Sequence, residues 1–76
     1  MKPNNKKLVL FNDNHNSFDK VINSLMKICG FNIYQAEQCA LLVHQTGKCV
    51  LKEGKYEYLE KLMFKLKKAN LTIQIM

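Results

Sequence analysis

Apolar and polar residues follow one another along the chain in patterns that predict three β-strands and three α-helices. Short apolar runs or alternating apolar and polar residues, both typical of strands, occur over residues 8–11, 48–52 and 71–76. Apolar residues at helical spacing occur over residues 17–29, 32–46 and 55–68. The predicted order of elements is therefore β-α-α-β-α-β.

Residues that favour helix ends support these boundaries. Residues 16–17 can cap the first helix by accepting hydrogen bonds from its free N–H groups, and Gly30 is typical of its left-handed end. Asn32, with a glutamine three residues later, resembles a capping box at the start of the second helix. Gly47 ends that helix, and we expect Asn70 to cap the end of the third.

Three strands and three helices with short connections form a two-layer sandwich of the α+β class, in which a three-stranded antiparallel sheet packs against three helices. We expect a single domain over residues 8–76, preceded by a short flexible basic tail over residues 1–7. A chain of 76 residues is near the lower size limit for a self-sufficient core. We therefore expect a shallow surface site rather than a deep active site.

The charge of the chain comes from lysine alone. Its 12 basic residues are all lysines, they outnumber 6 acidic residues, and the formal net charge is +6. This excess attracts polyanions non-specifically. Arginine, whose planar guanidinium group makes paired hydrogen bonds to phosphate and guanine, is missing. Specific nucleic-acid recognition is thus not favoured, although a small Lys-rich nucleic-acid- or ribosome-associated protein stays an alternative.

The three cysteines Cys29, Cys39 and Cys49 lie within apolar patterns and form no CxxC pair. We expect them to be reduced core residues in a cytoplasmic compartment, with no metal site and no cofactor. No apolar run is long enough to span a bilayer, and His44 has no serine or cysteine nucleophile at a recognisable spacing. We therefore expect neither a membrane protein nor an enzyme with catalytic residues.

Two polar stretches interrupt the apolar pattern. Residues 12–16 place four Asn or Asp side chains between the first strand and the first helix, and residues 43–48 (Val-His-Gln-Thr-Gly-Lys) close the second helix. We expect these two stretches to meet in space. The alternatives are a turn and cap cluster at residues 12–16, a His44 that satisfies helix-end carbonyls, and core roles for Phe18 and Val21.

These stretches resemble the ClpS family of protease adaptors. The family pattern begins with a strand that runs into an Asn-Asp loop, here residues 10–14 (Leu-Phe-Asn-Asp-Asn), followed by a helix with Val21-Ile22. Its second signature is an apolar residue followed by His-x-x-Gly-Lys at a helix end, here residues 43–48. The element order agrees as well, so the resemblance covers residues 8–76.

The resemblance implies an adaptor that recognises N-degrons, the destabilising amino-terminal residues of substrates, and delivers them to a ClpA- or ClpC-type AAA+ unfoldase with ClpP. By position, Asn12, Asp13 and His44 correspond to the residues that hold the substrate's α-amino group, whereas Ile22 is expected to face the core. The positions that correspond to the hydrophobic pocket and its rim are Asn16, Phe18, Val21, Val43 and Leu71.

A free α-ammonium group has three donors and a positive charge, which these polar residues can match. A charge-assisted hydrogen bond contributes about 1.5–3 kcal/mol. Burial of a Leu, Phe, Tyr or Trp first side chain in an apolar pocket adds roughly 1.5–3 kcal/mol. The two contributions together would select a free amine beside a large hydrophobic side chain, which is binding and not catalysis.

The chain departs from the family pattern in several places, among them Asn16-Ser17 in place of a common Thr-Pro pair, Asn14 and Phe18. Asn14 stands where a second acid is usual, which lowers the negative potential near the amine site. Phe18 stands where a flexible gate residue is common, and its stiff ring could either narrow the expected pocket or stack on an aromatic substrate. An alternative is therefore a degenerate ClpS-like regulator that contacts the unfoldase without binding N-degrons. In either case we expect a monomer without membrane or specific nucleic-acid partners.

Overall fold

The computed structural model of the protein describes residues 5–76 and has the predicted order of elements, β-α-α-β-α-β. The two layers are a three-stranded sheet and three helices, so the predicted fold class is confirmed. The strands and helices, in chain order, are β1 Lys6–Phe11, α1 Phe18–Cys29, α2 Ile33–Thr46, β2 Lys48–Gly54, α3 Tyr56–Lys68 and β3 Thr72–Ile75.

Local hydrogen bonds fix the starts of the first two helices. The Ser17 side chain accepts from the backbone N–H of Lys20 at 3.1 Å and caps α1. At α2, Asn32 and Gln35 form the expected capping box, with the Gln35 N–H donating to Asn32 Oδ1 at 2.7 Å and the Asn32 N–H donating to Gln35 Oε1 at 3.0 Å. Both caps satisfy N–H groups that have no partner within the helix.

Left-handed residues end all three helices. Gly30 and Gly47 have φ values of 73° and 95° at the ends of α1 and α2, as the sequence predicted. At the end of α3 the cap position belongs to Ala69, one residue earlier than predicted, and Asn70 follows it with a φ of 68°. Asn70 tolerates this conformation because its short polar side chain can bond locally.

The sheet has the order β2-β1-β3, with β1 antiparallel to both neighbours. Leu10 lies opposite Cys49 on β2 and Ile73 on β3, which places one apolar face of the sheet under the helices. The residues that are less than 1% exposed in this core are Leu8, Leu25, Ala36, Leu59 and Leu66. Ile22 is 6% exposed, so the expectation that it faces the core is confirmed.

Strand boundaries differ from the sequence prediction: β1 and β2 are longer than predicted, and β3 is one residue shorter at each end. β1 begins at Lys6, so Lys6 and Lys7 belong to the sheet and not to the predicted tail, whereas residues 1–4 of that tail lie outside the described residues. β2 continues to Gly54 through the predicted turn at residues 53–54. The reason is that Lys6 pairs with Gly54 through the main chain, which does not depend on apolar side chains.

The three cysteines are free thiols; Cys29 and Cys39 are buried and Cys49 is half-buried. Within residues 5–76, no group of three or more His, Cys, Asp or Glu residues is arranged to hold a metal ion. No helix in the described part of the chain is long and apolar enough to cross a membrane.

Candidate functional site

The two polar stretches meet at one end of the sheet, as predicted. The backbone N–H of Asn12 donates to the carbonyl of Gly47 at 2.9 Å. This contact follows from the register, because Phe11 at the end of β1 lies opposite Lys48 at the start of β2. The loop after β1 is thereby fixed against the end of α2.

The Asp13 carboxylate organises the loop after β1. Its Oδ1 accepts from the backbone N–H groups of His15 at 2.9 Å and Asn16 at 3.1 Å. Its Oδ2 accepts from the Thr72 hydroxyl at 2.9 Å, and both oxygens accept from the Asn16 Nδ2 group at 3.1 and 3.0 Å. This carboxylate therefore holds the loop in a turn and links it to β3.

The same hydrogen bonds set the charge of Asp13. Partial burial of the carboxylate acts to raise its pKa, but the hydrogen bonds from the His15 backbone, the Thr72 hydroxyl and Asn16 outweigh it. The pKa of Asp13 is therefore below its ordinary value of 3.8. Asp13 is thus ionised at neutral pH and places a fixed negative charge in the loop.

The side chain of Asn16 joins the loop to the connection between α3 and β3. Besides its bonds to Asp13, the Nδ2 group donates to the carbonyl of Asn70 at 2.9 Å. The Oδ1 atom of Asn16 is buried and accepts no hydrogen bond within the described part of the chain. A buried acceptor without a donor is unfavourable by about 1–3 kcal/mol, so this atom favours a donor from water or a ligand.

Beside this loop is a small cleft of about 20 Å³. It is lined by Leu10, Phe11, Asn12, Asp13, Asn16, Val21, Val43 and Leu71. Polar groups of the loop form one wall, and apolar side chains of α1, α2 and the residue before β3 form the other. This volume holds about one water molecule and no large side chain. A ligand with a side chain must therefore widen the cleft.

Six of the eight predicted site residues line this cleft, namely Asn12, Asp13, Asn16, Val21, Val43 and Leu71. His44 and Phe18 lie outside its lining. His44 is exposed in the last turn of α2, directly after the lining residue Val43. Phe18 is 46% exposed, which excludes the alternative that it is a core residue.

Sequence reasoning missed four residues of the site. Leu10 and Phe11 line the cleft but were assigned only to the strand. Thr72 and Asn70 bond to Asp13 and Asn16, respectively, across the fold. The alternating pattern located β3, but only the register of Thr72 opposite Phe11 shows that its hydroxyl faces the loop.

The fold and the cleft define a small α+β binding module, in which a charged, hydrogen-bonded loop faces an apolar wall. The family described as the ATP-dependent Clp protease adaptor protein ClpS matches residues 1–74, and the chain belongs to this family. Among solved structures, the fold is similar to Agrobacterium tumefaciens ClpS2, which was determined bound to L-phenylalaninamide. That match has a TM-score of 0.84 and 18% sequence identity, and it covers 99% of this chain and 98% of ClpS2.

Proposed function

We propose that this adaptor binds the free α-amino group and the large hydrophobic first side chain of N-degron substrates. It would deliver them in the cytoplasm to a ClpA- or ClpC-type unfoldase that works with ClpP. The observation that carries the proposal is the ionised Asp13 carboxylate held beside an apolar cleft. Family membership supports it, as does the ligand of ClpS2, L-phenylalaninamide, which has a free amine beside an aromatic side chain.

The three proposed amine-binding residues differ in whether their acceptor atoms already accept hydrogen bonds within the protein. Both oxygens of Asp13 already accept from His15, Asn16 or Thr72, so this carboxylate contributes mainly its negative charge. The direct acceptors for an α-ammonium group would be the Asn12 side chain and a ring nitrogen of His44. An acetylated amine has neither the charge nor the three donors and would be rejected.

Binding of the first side chain requires the cleft to open. Val21, Val43 and Leu71 form its apolar wall, and the present 20 Å³ cannot admit a Phe or Leu side chain. Phe18, the first residue of α1, is 46% exposed, so it can move without leaving a core position empty. Burial of the ligand side chain, worth roughly 1.5–3 kcal/mol, would offset the cost of widening the cleft.

The direct test measures the affinity of fluorescent peptides that begin with a free Leu, Phe, Tyr or Trp. Acetylated versions and a peptide that begins with Ala serve as controls. We expect binding that is lost on acetylation and with Ala. His44→Ala should weaken binding at least tenfold, because it loses a hydrogen bond to a charged group, worth about 1.5–3 kcal/mol. Asp13→Ala should weaken binding because it removes the negative charge and the hydrogen bonds that hold the loop. Equal binding of free and acetylated peptides would contradict the proposal.

The closed cleft and the occupied Asp13 carboxylate favour a second candidate, a regulator that contacts the unfoldase without binding N-degrons. This candidate predicts no affinity for any free-amine peptide but retention of the protein by an immobilised ClpA- or ClpC-type unfoldase. Pull-down with each unfoldase, alongside the peptide titration, separates the two functions. Peptide binding without capture by either unfoldase would contradict the delivery step alone.

A further inference from the structure

A groove of about 660 Å³, a volume typical of ligand sites, is lined by residues of β1, of β2 and of the end of α2, together with Asn5 and Met76. Its floor is formed by Val9 and Val50, which lie opposite each other on β1 and β2. Val9 is only 3% exposed although it points away from the core, whereas Val50 is 45% exposed. Leu42 and Met76 border the groove and are 44% and 58% exposed. The groove therefore offers an apolar surface separate from the cleft.

A lysine stands at each end of this floor. Lys7 and Lys48 both line the groove, and Lys48 lies opposite Phe11, four residues after Lys7 along β1. Because alternate residues of a strand share a face, both lysines lie on the same side as Val9. Their backbone positions are about 13–14 Å apart along the strands, at roughly 3.3–3.4 Å per residue. No Asp or Glu is among the described residues that line the groove, although Glu53 on β2 lies opposite Lys7.

We propose that the groove binds an extended segment of a partner protein with the pattern acid-x-apolar-x-acid. In an extended chain, residues i, i+2 and i+4 point to the same side, and the first and last are about 13 Å apart. Two carboxylates at this spacing match Lys7 and Lys48, and the apolar residue between them meets Val9 and Val50. The net charge of +6 further favours an acidic partner. This proposal does not depend on N-degron binding in the cleft.

The probe is an acetylated and amidated peptide with the core Glu-Thr-Leu-Thr-Glu, titrated into isotope-labelled full-length protein and followed by NMR. We expect amide shift changes at Lys7, Val9, Lys48 and Val50, and none at the cleft residue Val43. A peptide with the same residues in the order Glu-Glu-Leu-Thr-Thr should bind roughly tenfold more weakly, because its carboxylates are wrongly spaced. Equal affinity of the two peptides would overturn the proposal.

Charge removal tests the role of the two lysines. Lys7 lies opposite Glu53 on β2, so we choose Lys7→Gln and Lys48→Gln to avoid placing two acids side by side. The double variant should bind the probe roughly tenfold more weakly. The matched control is the double variant Lys61→Gln and Lys65→Gln on α3, which removes the same charge and should bind normally. Equal weakening by both double variants would show attraction by net charge alone and would overturn the proposal.

The apolar half of the pattern is tested at Val50, which is exposed and can be changed without opening the core. Val50→Thr keeps the branched shape that suits a strand. It should weaken binding of the probe peptide several-fold, because the contact with the apolar residue is lost. If Val50→Thr binds the probe peptide as tightly as the unaltered protein, the proposed apolar contact at Val50 is wrong. A concentration-dependent dimer in sedimentation, dispersed by Val50→Thr, would also overturn the proposal, because a second copy of this chain would then occupy the groove.

Discussion

At the scale of residues, the site depends on contacts that the sequence reveals only in part. Asn12, Asp13 and Val43 could be placed from motifs, because each lies near the end of a strand or helix that its own pattern defines. Thr72 could not be placed at the site, because its contact with Asp13 depends on how β3 is aligned with β1. The closed state of the cleft depends on packing, which residue types alone do not determine.

The contact between Thr72 and Asp13 gives a prediction for acid stability. Asp13 has a lowered pKa in the folded protein, so its contribution to stability is fully present above the ordinary value of 3.8 and is lost as pH falls through the lower folded pKa. Thr72→Val removes one hydrogen bond that lowers this pKa, so the pKa of Asp13 should rise. The unfolding free energy at neutral pH should fall by about 1 kcal/mol.

NMR titration of the Asp13 carboxyl carbon measures the pKa, and denaturant unfolding at neutral and acid pH measures the stability. The control is Thr46→Val, because the Thr46 hydroxyl donates to Leu42 and Lys48 carbonyls and not to Asp13. The stability difference caused by Thr72→Val should disappear in acid. A pKa of Asp13 that is the same in Thr72→Val and the unaltered protein would refute the assigned cause.

At the scale of elements, the hydrophobic pattern predicted every strand and helix, and the errors lie at their ends. Lys6, Lys7 and Gly54 join the sheet although no apolar pattern marks them, because main-chain pairing extends the ladder beyond the buried side chains. The sequence predicted the helix caps more accurately than the ends of the strands. A helix start needs a side chain that accepts a hydrogen bond, which Ser17 and Asn32 provide. A left-handed helix end favours glycine, and Gly30 and Gly47 occupy these positions.

The junction between α2 and β2 gives the second prediction. Gly47 has a φ of 95°, where an L-residue is strained, and its carbonyl accepts from Asn12. Gly47→Ala should therefore lower the unfolding free energy by about 1 kcal/mol or more, although no atom lies within 4 Å of the added carbon. The melting temperature should fall by about 4–8 °C for each kcal/mol.

Gly54→Ala is the matched control for this change. Gly54 lacks a positive φ, and its added carbon would lie 3.4 Å from the Tyr58 ring, an ordinary contact. Thermal unfolding should show a much smaller loss for Gly54→Ala than for Gly47→Ala. If the two variants lose the same thermal stability, backbone strain at residue 47 is not the cause of the effect. In Gly47→Ala, NMR should also show the largest shift changes in the Asn12 loop.

At the scale of the whole molecule, the cleft lies where distant parts of the chain converge. The end of β1, the loop after it and the start of α1 follow one another in sequence, and they meet the end of α2 and the connection between α3 and β3. Hydrogen bonds from Asn12 to Gly47, from Asn16 to Asn70 and from Thr72 to Asp13 hold these segments together. A ligand in the cleft would therefore be bound only by the folded protein and should stabilise the whole domain.

This coupling gives the last prediction, measured as a shift in melting temperature with L-phenylalaninamide. A ligand that binds only the folded state at 100 times its Kd adds about 2.7 kcal/mol, which corresponds to a rise of roughly 10–20 °C in a domain of this size. The N-acetylated compound should give no rise, because it cannot use the charge of Asp13. Equal rises would show that the aromatic ring alone drives binding. If the melting temperature does not rise at any concentration of the free amine, the free energy needed to open the cleft exceeds the free energy gained from ligand contacts. That result would favour the second candidate, a regulator that does not bind N-degrons.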